Sequence, residues 1–167
     1  MSGTTSQIHH AGLTVGQLER SVEFYTKYFG LRLLSRNELR GRMISAQTDL
    51  EGAVIDTALL AGENALLELL CYRAPVGRPA ELRACDPGAA HVCMVVQDLD
   101  ATYEAMRADG VPLHAHPAQL GAGTKMMYVR DPDGIMVEVI QPTEDIALAR
   151  LLSLGSDDEG ALDFSRS

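Results

Sequence analysis

Apolar residues recur at helical spacing near the start of the chain. They lie three or four positions apart, at Leu18, Val22, Tyr25 and Phe29. Residues at that spacing share one face of an α-helix, and a glycine such as Gly30 commonly stands just past a helix C-terminus. The pattern predicts a helix that ends near Phe29. Before it, residues 8–15 alternate between apolar and polar positions, which predicts a strand.

Glycine-rich and proline-rich turns divide the rest of the chain into further elements. In the first half, strands are predicted over residues 31–35, 42–48, 54–60 and 65–72. After a linker at 74–90, we predict a strand at 91–96, a helix at 98–109, a strand near Leu113, a loop at 115–124 and a hairpin over 125–140. An apolar helix is predicted from Thr143 to about Leu154, followed by a disordered acidic tail.

The chain carries one pattern twice. His10 is followed by a Val, a Leu and a Gly at offsets of five, eight and twenty residues, and His91 by the same three residue types at offsets of five, eight and nineteen. Further along each copy, Glu68 and Glu138 lie four residues after a turn. We interpret residues 8–142 as one domain made of two modules, 8–73 and 91–142.

Each of these glutamates lies within an apolar strand. Glu68 alternates with Leu66 and Leu70, and Glu138 alternates in the same way with Met136 and Ile140. A carboxylate buried among apolar side chains costs several kcal/mol unless a cation or dense hydrogen bonding compensates it. The alternative is that each glutamate reaches water at a sheet edge. Two such residues in register within a repeat favour a cation site.

The histidines complete the pattern. His10, and not its neighbour His9, matches His91 in its distance to the residues that follow, so we expect His9 to point to the opposite face. Two imidazoles and two carboxylates suit Zn, Ni, Co, Mn or Fe(II). We therefore predict one divalent ion held by His10, Glu68, His91 and Glu138.

Composition sets broad limits on the function. The 167 residues are 46% hydrophobic, which is typical of a globular domain, and the net charge of −9 argues against nucleic acid as a partner. We expect no membrane span and, from the short polar start of the chain, a cytoplasmic protein. The three cysteines, Cys71, Cys85 and Cys93, lack C-x-x-C spacing, so small buried thiols and no disulfide are expected.

Three runs of sequence resemble the vicinal oxygen chelate superfamily. They are His10-Ala-Gly-Leu-Thr-Val, Leu18-Glu-Arg-Ser-Val-Glu-Phe-Tyr with Phe29-Gly-Leu, and Val129-Arg-Asp-Pro-Asp-Gly-Ile-Met-Val-Glu138. This group includes glyoxalase I, methylmalonyl-CoA epimerase, extradiol dioxygenases and fosfomycin- and bleomycin-resistance proteins. The resemblance implies an α+β fold in which two tandem βαβββ modules form a curled mixed sheet around a metal-binding cleft.

The resemblance also narrows the reaction. His10, Glu68, His91 and Glu138 resemble the four ligands of glyoxalase I. A resemblance to the extradiol dioxygenases would imply a ligand set without a carboxylate at the position of Glu68. The resemblance to glyoxalase I implies an isomerase, epimerase or lyase that moves a proton through a chelated enediolate. Glu138 or Glu68 would be the base, and Asp56 is a candidate for the second base that an epimerase needs. An ordinary strand residue is the alternative for Asp56.

Candidate substrate-binding residues follow in the second module. Lys125 and Arg130 could hold a carboxylate or phosphate, and His116 could lie at the rim of the cleft. The chain has no Trp and no obvious cationic cluster in the first module, which argues against glutathione. A small carbonyl acid or thioester is the expected substrate.

Two classes of protein compete with this interpretation: an Fe(II) ring-cleaving dioxygenase and a non-catalytic resistance protein that binds a small molecule in the same cleft. We also expect a homodimer, with the apolar stretch Ile146 to Leu154 covering the interface.

Overall fold

A computed structural model of the chain describes residues 8–78, 82–120 and 123–142. The elements in chain order are β1 (Ala11–Thr14), α1 (Leu18–Phe29), β2 (Arg32–Arg40), α2 (Arg42–Thr48), β3 (Val54–Ala61), β4 (Leu66–Ala74), β5 (His91–Val95), α3 (Leu99–Ala108), β6 (Ala118–Leu120), β7 (Thr124–Arg130) and β8 (Met136–Gln141). The strands form two four-stranded mixed sheets, with orders β1-β4-β3-β2 and β5-β8-β7-β6. The predicted α+β class is confirmed.

The two sheets repeat one topology. The first strand of each copy pairs in parallel with the last strand, and the remaining pairs are antiparallel. The chain divides into two compact units, one of Met1–Ala89 with Asp131–Ile135, and one of Ala90–Arg130 with Met136–Ser167. The turn between β7 and β8 is thus grouped with the first unit, although both flanking strands belong to the second.

In the first unit, α1 packs on β3 and β4. The helix ends as its pattern predicts, because Gly30 adopts a left-handed conformation (φ 66°) and its N–H donates to the carbonyl of Thr26. The core consists of fully or nearly fully buried side chains that include Val22, Phe24, Tyr25, Leu60, Leu67 and Leu69.

In the second unit, α3 packs against β8. The Asp98 side chain caps this helix by accepting the N–H of Ala101. The buried side chains here are Leu99, Tyr103, Met106, Met127, Val129, Val137 and Val139.

Several predicted elements need correction. Residues 42–48, predicted as a strand, form the short helix α2, because this stretch lies between Gly41 and the left-handed Asp49, and Met, Ala and Gln favour helix. The predicted loop at 115–124 contains the strand β6, which pairs with β7. The strand near Leu113 is a single bridge to Val129.

The cysteines also differ from expectation. Cys93 and Cys85 are exposed and Cys71 is half-buried, and none of the three is in a disulfide. Cys93 alternates along β5 with the half-buried Val92 and Met94 and lies on the exposed face of that strand with His91 and Val95. The predicted C-terminal helix and tail, including Ile146 to Leu154, lie outside the described residues. Among the residues described, no helix is long and apolar enough to cross a membrane.

Candidate metal centre

The first histidine and glutamate meet at the edge of the first sheet. Glu68 on β4 is paired with Gly12 on β1, and His10 lies two residues before that glycine. The Nε2 atom of His10 is 3.2 Å from Oε2 of Glu68. The Glu68 side chain is 25% exposed. An incoming atom can therefore reach this carboxylate.

The second pair repeats this arrangement in the second unit. Glu138 on β8 is paired with Cys93 on β5, and His91 lies two residues before that cysteine. The Nε2 atom of His91 is 3.1 Å from Oε2 of Glu138, whose side chain is 17% exposed. Both copies thus bring one imidazole and one carboxylate together through the same register of a parallel strand pair.

The donor atoms fit a divalent ion. Two ligands in neighbouring positions around an ion, with bonds of about 2.1 Å, lie roughly 3.0 to 3.4 Å apart. Each pair has that spacing. A hydrogen bond has a similar length, so the distance alone does not identify a metal ligand. The stronger support is that the same His and Glu contact occurs at the same register position in both sheets. Within the described part of the chain, no group of three or more His, Cys, Asp or Glu side chains is placed to hold a metal ion, and each His and Glu pair lies within one unit.

His9 does not behave as expected. Its Nδ1 atom is 2.7 Å from Nδ1 of His10, and the two rings meet edge to face. Both residues precede the first residue of β1, so the alternation of a strand does not separate them. His9 thus contacts the candidate ligand His10 and does not lie on the opposite face.

Strand pairing shows which face of the first sheet carries Glu68. Arg36 on β2 donates to Glu19 of α1 at 3.0 Å, so its face is the one that packs on the helix. Arg36 pairs with Ala58, and Ala58 pairs with the buried Leu69. Glu68 is next to Leu69 in the strand and therefore lies on the face away from α1.

Asp56 lies on the other face from Glu68. It is two residues before Ala58 on β3 and so shares the helix-side face. Its Oδ2 atom is 2.8 Å from Nε of Arg73, which also pairs with Glu38. The structure thus places this carboxylate in an ion-pair cluster away from the His10 and Glu68 pair. This position does not support Asp56 as a second base.

Two further candidates lie on the helix side of the second unit. The Lys125 ammonium group pairs with Asp100 of α3. Nε2 of His116 is 3.3 Å from the Tyr103 hydroxyl on the same helix, and the two rings are in contact. Neither side chain lies beside Glu138. Arg130 differs, because it pairs with Met136, which lies on the face of Glu138 and pairs with His91.

Sequence reasoning missed Tyr128. It lies on β7 directly opposite Glu138, is 39% exposed, and its ring meets that of His91 edge to face at 5.8 Å. Burial, followed by the negative charge of Glu138, raises the pKa of Tyr128, so the hydroxyl stays protonated at neutral pH. Counting alternate residues across the hairpin from Glu138 could have found it.

Comparisons with known proteins identify the family of the chain. Residues 7–139 match the model of a family described as the Glyoxalase/Bleomycin resistance protein/Dioxygenase superfamily. A probable lactoylglutathione lyase of Vibrio parahaemolyticus is 31% identical over 83% of this chain and 92% of its own length. A 2-epi-5-epi-valiolone epimerase from an Actinomyces species is 32% identical over 80% of this chain and 78% of its own.

Solved structures support the fold. A glyoxalase family protein from Bacillus cereus has a TM-score of 0.77 at 18% identity, over 84% of this chain and 97% of that protein. The trypanothione-dependent glyoxalase I of Leishmania major has a TM-score of 0.64 at 22% identity, over 92% of this chain and the whole of that protein.

Proposed function

Because the chain belongs to the Glyoxalase/Bleomycin resistance protein/Dioxygenase superfamily and is an enzyme of the glyoxalase type, we propose that it is a divalent-metal-dependent isomerase, epimerase or lyase. Its substrate is a small carbonyl compound with a second oxygen on the neighbouring carbon. The reaction moves a proton to or from a carbon next to the carbonyl. The observation that carries this proposal is the His and Glu contact repeated at one register position in both sheets.

His10, Glu68, His91 and Glu138 would hold the ion. When bound, a divalent cation withdraws electron density from a carbonyl and makes the neighbouring C–H more acidic. A glutamate is suited to take the proton, because both carboxylates remain partly exposed beside an imidazole. Glu138 is paired with Tyr128 on the neighbouring strand, whereas Glu68 is paired with Leu59.

The relatives suggest two substrate classes. The name lactoylglutathione lyase points to a glutathione conjugate, and the name 2-epi-5-epi-valiolone epimerase points to a ketone. Glutathione carries two carboxylates that need cationic partners. Lys125 pairs with Asp100 and Arg36 with Glu19, both on the helix sides of their sheets. Arg130, by contrast, lies on the face of Glu138, so one of these three cations is placed to meet a carboxylate there. One cation for two carboxylates favours the ketone as the first substrate to test.

The test has three measurements on protein purified without chelators: metal content by elemental analysis, deuterium incorporation by NMR in deuterated water, and oxygen consumption with an electrode. We expect about one ion per chain and exchange of a carbon-bound proton in one of the two substrate classes. Oxygen uptake would contradict the proposal and show that the protein is a dioxygenase. Tight substrate binding by a protein that contains no metal would show that the chain is a binding protein.

Four variants then test the residues. His10→Ala, His91→Ala, Glu68→Gln and Glu138→Gln should each lower metal occupancy, and Glu138→Gln should also abolish proton exchange. His114→Ala and Glu104→Gln are matched controls from outside the two pairs. If all four variants keep full occupancy, the assigned ligands are wrong.

A further inference from the structure

The turn between β7 and β8 is held by several backbone and side-chain hydrogen bonds. Oδ1 of Asp131 accepts the backbone N–H groups of Asp133 at 2.9 Å and Ile135 at 2.8 Å. The Asp131 N–H donates in turn to the Ile135 carbonyl at 2.9 Å, and Gly134 adopts a left-handed conformation (φ 82°). These bonds define the path of the chain from the end of β7 to the start of β8.

Three side chains of α1 hold this turn from outside. The Tyr25 hydroxyl donates to Oδ2 of Asp131 at 3.1 Å. On Asp133, Oδ1 accepts from Arg20 at 2.7 Å and Oδ2 accepts from Ser21 at 3.2 Å. Tyr25 and Ser21 are completely buried, and the Tyr25 bond to Asp131 is shielded from water. The Ser21 bond is partly buried and the Arg20 bond is exposed. The buried face of α1 therefore carries polar groups whose partners are on the turn.

The matching turn of the first module lacks this arrangement. Between β3 and β4, the Gly62 N–H donates to the Ala65 carbonyl at 2.9 Å. No side chain hydrogen-bonds to that turn within the part of the chain described by the structure. Of these two turns, only the one that leads to Glu138 is anchored by a helix.

The anchored turn immediately precedes β8, the strand that carries Glu138. Arg130 and Met136 form the pair next to the turn, and Glu138 is paired with Tyr128 two positions further on. In a hairpin, a slip of one residue moves every side chain of the strand to the other face. Such a slip would turn Glu138 toward α3 and away from His91.

We propose that Arg20, Ser21 and Tyr25 are positioning residues for Glu138: by holding the turn at Asp131 and Asp133, they fix the register in which this carboxylate meets His91. The proposal rests on the proposed function only in taking Glu138 as a metal ligand. The anchors touch neither the ion nor the substrate.

The experiment compares Tyr25→Phe and the double variant Arg20→Ala/Ser21→Ala with wild type. Zn²⁺ alone is the probe, and its Kd is measured by competition with a chelating dye. Each variant loses hydrogen bonds to a carboxylate, so we expect a Kd raised about fivefold or more. Hydrogen exchange of the β8 amides, read by mass spectrometry, should accelerate in parallel. The conservative variant Arg20→Lys, which keeps Ser21 and a cation beside Asp133, should retain more of the affinity than the double variant does.

Controls separate positioning from general stability. Tyr103→Phe removes a hydroxyl group of α3 that contacts His116. Val22→Ala removes apolar contacts from α1 itself. Both should lower Tm while leaving the Zn²⁺ Kd within about twofold of wild type.

The outcomes distinguish this inference from the proposed function. If Glu138→Gln weakens Zn²⁺ binding but the anchor variants bind as wild type does, the positioning role is overturned and the metal site stands. If Glu138→Gln itself binds normally, the proposed ligand set is wrong, and exchange at β8 alone decides the inference. Faster exchange in the anchor variants then supports it, and unchanged exchange overturns it.

Discussion

Tyr128 and Leu59 occupy the same place in the two copies, each directly opposite its glutamate. One offers a hydroxyl and the other only methyl groups. Among the described residues, the Tyr128 hydroxyl makes no hydrogen bond, and its ring is partly exposed beside His91. The repeat thus provides two similar donor pairs but unlike surroundings, and the polar side is that of Glu138.

We expect Tyr128→Phe to raise KM about five- to tenfold with little change in metal content, because a hydrogen bond to substrate is worth roughly 1 kcal/mol. Steady-state kinetics and elemental analysis measure the two quantities. Tyr103→Phe is the matched control, since its hydroxyl contacts His116 on the helix side. An unchanged KM in Tyr128→Phe would mean that the hydroxyl does not meet the substrate.

Asp131 makes stability depend on pH. It is only 5% exposed, and this burial raises the pKa of its carboxyl above the ordinary value, against the opposing effect of its hydrogen bonds. A folded state that binds the proton more tightly than the unfolded chain loses stability as pH rises through the folded pKa.

Relative to Asp131→Asn, the wild-type protein should therefore become less stable as pH rises from about 4, the ordinary pKa of an aspartate, toward neutrality. Urea unfolding of both proteins at pH 4, 5, 6 and 7 gives the difference in unfolding free energy. A difference that stays constant, or that changes in the other direction, would contradict the assigned burial effect.

At the scale of elements, α2 is the clearest departure from the repeat. None of its seven residues is buried, and it connects Arg40 and Val54, which are themselves paired across β2 and β3. At the corresponding place in the second copy, β6 and β7 are joined by a short connection between Leu120 and Thr124.

We expect that replacing residues 41–53 with Asn-Gly preserves the fold, because this dipeptide closes a two-residue hairpin between antiparallel strands. The replacement removes one buried side chain, the small methyl group of Ala53. Circular dichroism and Zn²⁺ affinity should match wild type, and Tm should fall by only a few degrees. Loss of Zn²⁺ binding without unfolding would show that α2 contributes to the site.

How far the sequence predicted these elements depends on their length and pattern. The helix α1 and the strands around Glu68 and Glu138 have long, clear periodicity and were predicted correctly. In the seven-residue stretch 42–48, Met43, Ile44 and Ala46 are the apolar residues, and so short a pattern fits a strand or a short helix equally. The three exposed residues of β6 carry no pattern.

The site shows the same limit. The repeat identified both His and Glu pairs, because the same residue types follow each histidine at nearly equal offsets and each glutamate lies four residues after a turn. It could not show that Asp56 and Lys125 face the helices, since the face of a strand residue depends on register with its neighbours. Those two side chains have acidic or basic partners on other elements that are distant in sequence.

For the whole molecule, assembly and location in the cell remain predictions. We expect a homodimer, as the resemblance to the superfamily implies. Light scattering at micromolar concentration should give about twice the mass of one 18.0 kDa chain. A monomer over the whole concentration range would exclude this assembly.

The parallel pairing of β1 with β4 and of β5 with β8 has a consequence for the order of events during folding. Hairpins such as β3 with β4 and β7 with β8 close over short loops, whereas each histidine joins its glutamate only when the first strand of a copy meets the last. Contacts between residues so far apart along the chain form late, because a large loop must close first. An ion held by these pairs would therefore bind only after the sheets of a newly made chain have formed. The rate of metal binding would then report on the last step of folding.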